Sequence, residues 1–224
     1  ASTDGYLSAF DPSLTENIDI VFVDQRGTGP AHGLACPTAQ ARFDIAPAPL
    51  SDPDAILATA KSYVTDCTAE LDADALLAVA NTDQAIRDSE LFRQKIGSPK
   101  VWLYGESYGT QIVQAYATQF PTAVKGVIVD GVVDLTLSAE AFYRRYTLAA
   151  EQLLAETFAL CATIPACHAD IPGDAAQVYD DLAARVAAAP VTVPYILGDG
   201  STVQRQFTSG LLEANAFYAL YSSE

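Results

Sequence analysis

The stretch VWLYGESYGTQ, residues 101–111, runs four apolar residues into Gly105, Glu106, Ser107, Tyr108 and Gly109. A buried strand that ends at a glycine and restarts as an amphipathic helix places Ser107 on a sharp turn between them. The pattern is Gly-x-Ser-x-Gly. In that arrangement the serine accepts a strained backbone so that its hydroxyl stands exposed at the end of a sheet. The glycines let strand and helix approach each other, and the helix N-terminus behind the serine favours developing negative charge. The N–H of the next residue, Tyr108, then points at the place where an oxyanion would form. Five residues of this kind are a weak signal alone. An apolar strand before them and an amphipathic helix after them make the reading specific.

Working outward, Ile18–Val23 and Val127–Val129 are further short runs rich in Val and Ile that do not alternate with polar residues. They predict, with Val101–Tyr104, buried strands covered on both faces. Asn81 or Thr82 can cap a helix carrying Ile86, Phe92 and Ile96, with Gly97 as its stop and Pro99 just after. Residues 110–120 put Ile112, Val113, Tyr116, Ala117 and Phe120 on one helical face, and Pro121 ends it. Strand, helix, strand, helix, strand predicts an α/β fold with a mostly parallel sheet and flanking helices.

From about Ser138 the character changes. Residues 139–161 and 174–188 predict successive helices, the second with Val178, Leu182 and Val186 recurring every four residues. Two β-prone runs about Gly198-Asp199-Gly200 predict a hairpin, and a last helix starts near Thr208 or Ser209. This block, entered directly from a strand, has the character of an insertion. The expected division is therefore 1–137 and 138–224.

The 28 Asp and Glu against 12 Lys and Arg give a net charge of -16. The acids are scattered, which argues against nucleic-acid binding, where clustered cations must neutralise phosphates. A soluble, self-repelling surface accounts for the charge, and an attraction for cationic substrates is the alternative. No apolar run reaches the roughly 20 residues of a membrane span. Cys36, Cys67, Cys161 and Cys167 form no Cys-x-x-Cys pair, and only His32 and His168 could join them, so a metal site has little support. Four cysteines fit either disulfides in an oxidising compartment or buried thiols. Proximity along the chain favours Cys36 with Cys67 and Cys161 with Cys167, although three pairings exist. The chain has no Met and stops at YALYSSE, and reads as an excised piece.

Three segments in this order, FVDQRGTG at 22–29, WLYGESYGTQ at 102–111 and FPTAVKGVIVDGVVD at 120–134, resemble the α/β-hydrolase family of proline iminopeptidases and secreted tripeptidyl aminopeptidases. The resemblance implies a partial α/β-hydrolase core over 1–137 and an incomplete, largely helical cap over 138–224. It implies that Ser107 is the nucleophile, that Tyr108 N–H is an oxyanion donor, and that the Asp24-Gln25-Arg26-Gly27 turn is scaffolding. It also implies disulfides and a secreted or periplasmic location. The family's His-Gly-Gly-Pro-Gly oxyanion loop is absent. Its triad acid and histidine follow the cap, and so are expected outside this chain. His32 and His168 are expected to be surface loop residues, because a base must reach the hydroxyl. Asp130 and Asp134 are expected to be turn residues.

The resemblance further implies peptide substrates with a free N-terminus, cleaved to release proline or short peptides without a cofactor. Carboxylates of the cap could hold the terminal ammonium. Glu213 is the first candidate, with Glu140 and Glu151 behind it, and solvated helix faces are the alternative. Glu106 could line the mouth of the site, or favour the dipole of the helix that starts beside it. An esterase of the same fold and a non-catalytic binding protein of hydrolase ancestry are the rival readings.

Overall fold

The computed structural model describes residues 5–7, 10–29, 33–46, 52–71, 74–171 and 173–221. In chain order the main elements are α1 (Pro37–Ile45), α2 (Pro53–Leu71), α3 (Thr82–Lys95), β1 (Val101–Glu106), α4 (Tyr108–Gln119) and β2 (Val124–Asp130). There follow α5 (Ala139–Cys161), α6 (Pro165–Asp170), α7 (Ala175–Ala188), β3 (Val191–Ile196), β4 (Thr202–Phe207) and α8 (Ser209–Ala219). They form two compact units. The first is drawn from Ala1–Leu34 and Ala73–Val133, the second from Ala35–Asp72 and Asp134–Glu224. One division between the units falls after Val133. Residues 35–72, however, group with the later block.

In the first unit β1 and β2 pair in parallel, with Leu103 opposite Val127 and Glu106 opposite Asp130. The connection between them is α4, as a parallel pair requires. Asn81 caps α3 by accepting the Gln84 N–H at 3.1 Å, and Gly97, with φ +70°, takes the left-handed conformation that stops it. The core gathers Ile86 of α3, Tyr116 of α4 and Ala123, with Leu103, Ile112 and Phe120 packed against them. Inside this core lies an acid. Glu90, 7% exposed, receives a forked pair of hydrogen bonds from Arg93 at 2.7 and 2.8 Å and one from the Tyr116 hydroxyl at 2.6 Å. These donors hold its carboxyl down to about 2, and burial beside the carboxylate pushes the Tyr116 phenol up to about 12.

Two expectations are corrected here. Ile18–Val23 is not a strand: it carries no regular structure, and Ile18, Val21, Phe22 and Val23 are exposed. A strand exists only through a hydrogen-bonded neighbour, and among the described residues this segment has none. Nor are the strands covered on both faces. Along β1, Val101, Leu103 and Gly105 turn inward under α4, while Trp102, Tyr104 and Glu106 are exposed. Among the described residues, α4 is the helix that packs on this pair.

The second unit contains a helical hairpin, α1 and α2, closed by the Cys36–Cys67 disulfide and by Glu70. The Glu70 carboxylate accepts the N–H groups of Thr38 and Ala39 at 3.1 and 2.9 Å, supplying the cap that Cys36 cannot. Tyr63 stacks at a tilt on Phe43, 5.0 Å between ring centres. This self-contained staple explains why residues 35–72 separate from the sheet. Beyond it, α5, α7 and α8 pack together, capped by Ser138, Asp174 and Thr208. The hairpin is antiparallel, with Val191 opposite Phe207 and Ile196 opposite Thr202, and Gly200 takes φ +83° at its turn. Cys161 and Cys167 are joined, tying α6 to the end of α5. Among the described residues no helix is long and apolar enough to cross a membrane.

Candidate active site

Ser107 stands between β1 and α4 with φ 51° and ψ -119°, the one described non-glycine residue at positive φ. Such a backbone costs on the order of 1–3 kcal/mol and survives only where the surroundings fix it. Three features fix it. The Ser107 N–H donates to the Asp130 carbonyl at 2.9 Å, so the end of β2 grips the turn. The Ser107 carbonyl accepts from both the N–H and the hydroxyl of Thr110, at 3.0 and 2.7 Å. Gly105 lets the helix come close: a Cβ there would stand 2.6 Å from the carbonyl carbon of Gly109 and 2.8 Å from Val113 Cγ2. Ser107 itself is exposed.

Tyr108 is the first residue of α4, and Ser107 provides no side-chain cap. The Tyr108 N–H is thus one of the orphan donors at the positive end of the helix, beside the serine. Its phenol is anchored on Thr82, 2.6 Å between hydroxyl oxygens. Glu106, the last residue of β1, is exposed on the face it shares with Tyr104. Its charge raises the Tyr6 phenol, and adds to desolvation in raising that of Tyr104. So the sheet end beside Ser107 presents an acid among aromatic rings, with Phe10 edge-on to Tyr104 at 6.0 Å.

The Asp24-Gln25-Arg26-Gly27 turn is pinned to α3 by a forked pair from Arg26 to Asp88, at 2.8 and 2.6 Å. Thr28 closes it on the Gln25 carbonyl. Asp134 accepts from the N–H and hydroxyl of Thr136, and so acts as a turn residue. His168, the one histidine among the described residues, is exposed on α6 of the second unit. His32 lies outside the described residues.

Glu213 belongs to α8 and lines a cavity of about 1200 Å³ in the second unit, with Glu151 of α5 on the same wall set and Tyr146, Phe158, Tyr179 and Phe217 around it. Glu140 does not line it. Burial, reinforced by the Glu213 charge, pushes the Tyr179 phenol up to about 12. The cavity thus sets carboxylates among largely apolar and aromatic side chains.

The strained serine, the strand before it, the helix behind it and the parallel neighbour that grips it coincide with one sequence family. The profile of the α/β-hydrolase fold matches residues 1–167, well over half of the chain. The chain belongs to the α/β-hydrolase fold family. Among curated proteins it is 30% identical over 132 residues to a tripeptidyl aminopeptidase of Streptomyces lividans, covering 57% of this chain and 24% of that one. It is 29% identical over 124 residues to a putative hydrolase, YuaR, of Escherichia coli K12, covering 55% and 23%. A shorter match, 36% over 74 residues, is to serine protease Hip1 of Mycobacterium tuberculosis, covering 33% and 14%. The match therefore spans less than a quarter of each relative's length. Within this α/β-hydrolase, residues tied to Ser107 from a distance were not legible as site residues. Thr110 and Gln114 follow the motif directly, but what they hold lies some 20 residues further on.

Proposed function

We propose that this α/β-hydrolase is the nucleophile-bearing part of a serine aminopeptidase that releases proline or short peptides from a free N-terminus. The observation that carries the reading is the strained, exposed Ser107 with the orphan Tyr108 N–H beside it. Aminopeptidase and protease names among its relatives support a peptide substrate over other acyl donors. In the reaction, a general base takes the Ser107 hydroxyl proton as Oγ bonds to the scissile carbonyl carbon. Tyr108 N–H and a second donor hold the oxygen that gains the negative charge. The C–N bond breaks as the amine leaves with that proton, and water then hydrolyses the ester. The triad histidine and acid come from the longer polypeptide. Residues 138–224 act as its cap, with Glu213 holding the substrate ammonium. Glu106 adds attraction for the same cation. Two disulfides fit an oxidising, extracytoplasmic location.

The test is a fluorophosphonate probe on the chain and on the full-length protein, followed by hydrolysis of proline and tripeptide anilides against p-nitrophenyl esters. Labelling of Ser107 in the full-length protein with turnover of anilides is expected. Turnover of esters alone would make it an esterase, and no labelling would leave a binding protein of the same fold.

A further inference from the structure

Among the described residues of the first unit Thr110 is the side chain most fully sealed, 0% exposed, and both halves of its hydroxyl are committed. Its proton goes to the Ser107 carbonyl at 2.7 Å. A lone pair takes the Val133 N–H at 2.9 Å. A hydroxyl has one proton, so these two bonds fix its direction. A threonine bonding back to the carbonyl three residues earlier is a common local device in helices. The second bond is not local: it reaches the chain leaving β2.

The two peptide groups flanking Ser107 are consequently held by one segment. Its N–H donates directly to Asp130, and its carbonyl is reached from Val133 through Thr110. Gly131, at φ +61°, makes the bend between those two anchors, and a Cβ on it would meet the Ser107 nitrogen at 3.8 Å. Gln114 closes the ring, its Nε2 donating to the carbonyls of both Thr110 and Val133, at 3.0 and 3.1 Å. A residue at positive φ relaxes unless its neighbours over-determine it. Relaxation here would swing the hydroxyl and the Tyr108 N–H together, since the Ser107 carbonyl and the Tyr108 N–H share one peptide plane.

We propose that Thr110 is a positioning residue for the nucleophile, clamping the Ser107–Tyr108 peptide to the segment after β2 so that the attacking oxygen and the oxyanion donor keep a fixed relation. The proposal rests on Ser107 being the nucleophile. Thr110→Val keeps the shape and removes both hydrogen bonds. Thr110→Ser keeps the hydroxyl and removes the methyl. In the full-length protein, the inactivation rate at saturating fluorophosphonate falls about 10- to 100-fold in Thr110→Val, as for other small misplacements of reacting groups. The half-saturating probe concentration stays unchanged, because the pocket is untouched, and Thr110→Ser restores most of the rate. Glu90→Gln, which loosens the same core away from the turn, lowers the melting temperature and leaves the rate alone. A wild-type rate in Thr110→Val overturns the proposal. So does failure of Thr110→Ser to restore it, or an equal loss in Glu90→Gln. If wild-type protein is not labelled, the nucleophile reading itself fails and this one falls with it.

Discussion

Gly105 faces Gly109 so closely that a Cβ on the first would stand 2.6 Å from the carbonyl carbon of the second, yet a Cβ on Gly109 would meet nothing within 4 Å. The two glycines of the motif therefore do different things. Gly105 is required by sterics between the end of β1 and the first turn of α4. Gly109 sits in a helix at ordinary φ, where alanine is intrinsically better. Gly105→Ala should destabilise by about 1–3 kcal/mol or more, since the obstacle is backbone and cannot rotate away. Gly109→Ala should be neutral or stabilise by up to about 1 kcal/mol. Urea unfolding midpoints of the two variants decide this, and equal losses would show that both glycines are needed for space.

Ser107 carries the strain of the turn in its own backbone, so removing its side chain should stabilise the protein while ending its chemistry. Relief of a positive-φ conformation is worth on the order of 1–3 kcal/mol. Against it stands the extra freedom of glycine in the unfolded chain, about 0.5–1 kcal/mol. Strain wins, and Ser107→Gly should gain on the order of 1 kcal/mol. Thermal unfolding beside Ser107→Ala, which keeps the Cβ, isolates the backbone contribution. A Ser107→Gly protein no more stable than Ser107→Ala would mean that the turn is not strained in solution.

This turn was legible in the sequence because everything that makes it is local: an apolar run, a glycine, a serine and an amphipathic helix. The last helix and the Gly198–Gly200 hairpin were legible for the same reason, as their caps and turn residues lie within a few positions. Ile18–Val23 was not, because an apolar run announces burial but not a partner, and strand identity is a property of the pair. Glu90 was invisible for a related reason. On α3 it looks like any helix-face acid, and only the arrival of Tyr116 from α4, 26 positions later, makes it a core residue. Thr110 and Val133, and Arg26 and Asp88, are likewise joined only by the fold.

The disulfides differ in what they close. Cys36–Cys67 spans 31 positions and Cys161–Cys167 spans 6. In the chain-entropy account the cross-link gains about 3.7 kcal/mol for the first loop and about 2.2 for the second. Cys36→Ala with Cys67→Ala should accordingly destabilise by about 1.5 kcal/mol more than Cys161→Ala with Cys167→Ala. Unfolding of each double variant, both read on the second unit, which holds the two disulfides, tests the ordering. A reversed order would place the energetic role of the short loop in native contacts around α6.

The buried Glu90 makes an acid-stability prediction whose sign is fixed by its partners. Arg93, Tyr116 and Gln94 all donate to the carboxylate, Arg93 most strongly, and bring it from an ordinary 4.5 to about 2. A depressed carboxyl favours the fold when it is ionised. Its contribution is complete above about pH 4.5, where the unfolded chain is ionised too, and is lost as pH falls through about 2. Asp88 and Glu70 are lowered as well, by Arg26 and by the Thr38 and Ala39 N–H groups, so acid unfolding of the wild type alone mixes several carboxyls. The difference between wild type and Glu90→Gln removes the others. At neutral pH the glutamine variant should be less stable, because Arg93 is left partly buried beside a neutral amide. That gap should hold from neutrality to about pH 4.5 and close toward pH 2, as the wild-type carboxyl takes up its proton and becomes neutral like the amide. Denaturant melts at stepped pH read it directly. A gap that stays constant to pH 2 would mean that Glu90 acts by shape and not by charge.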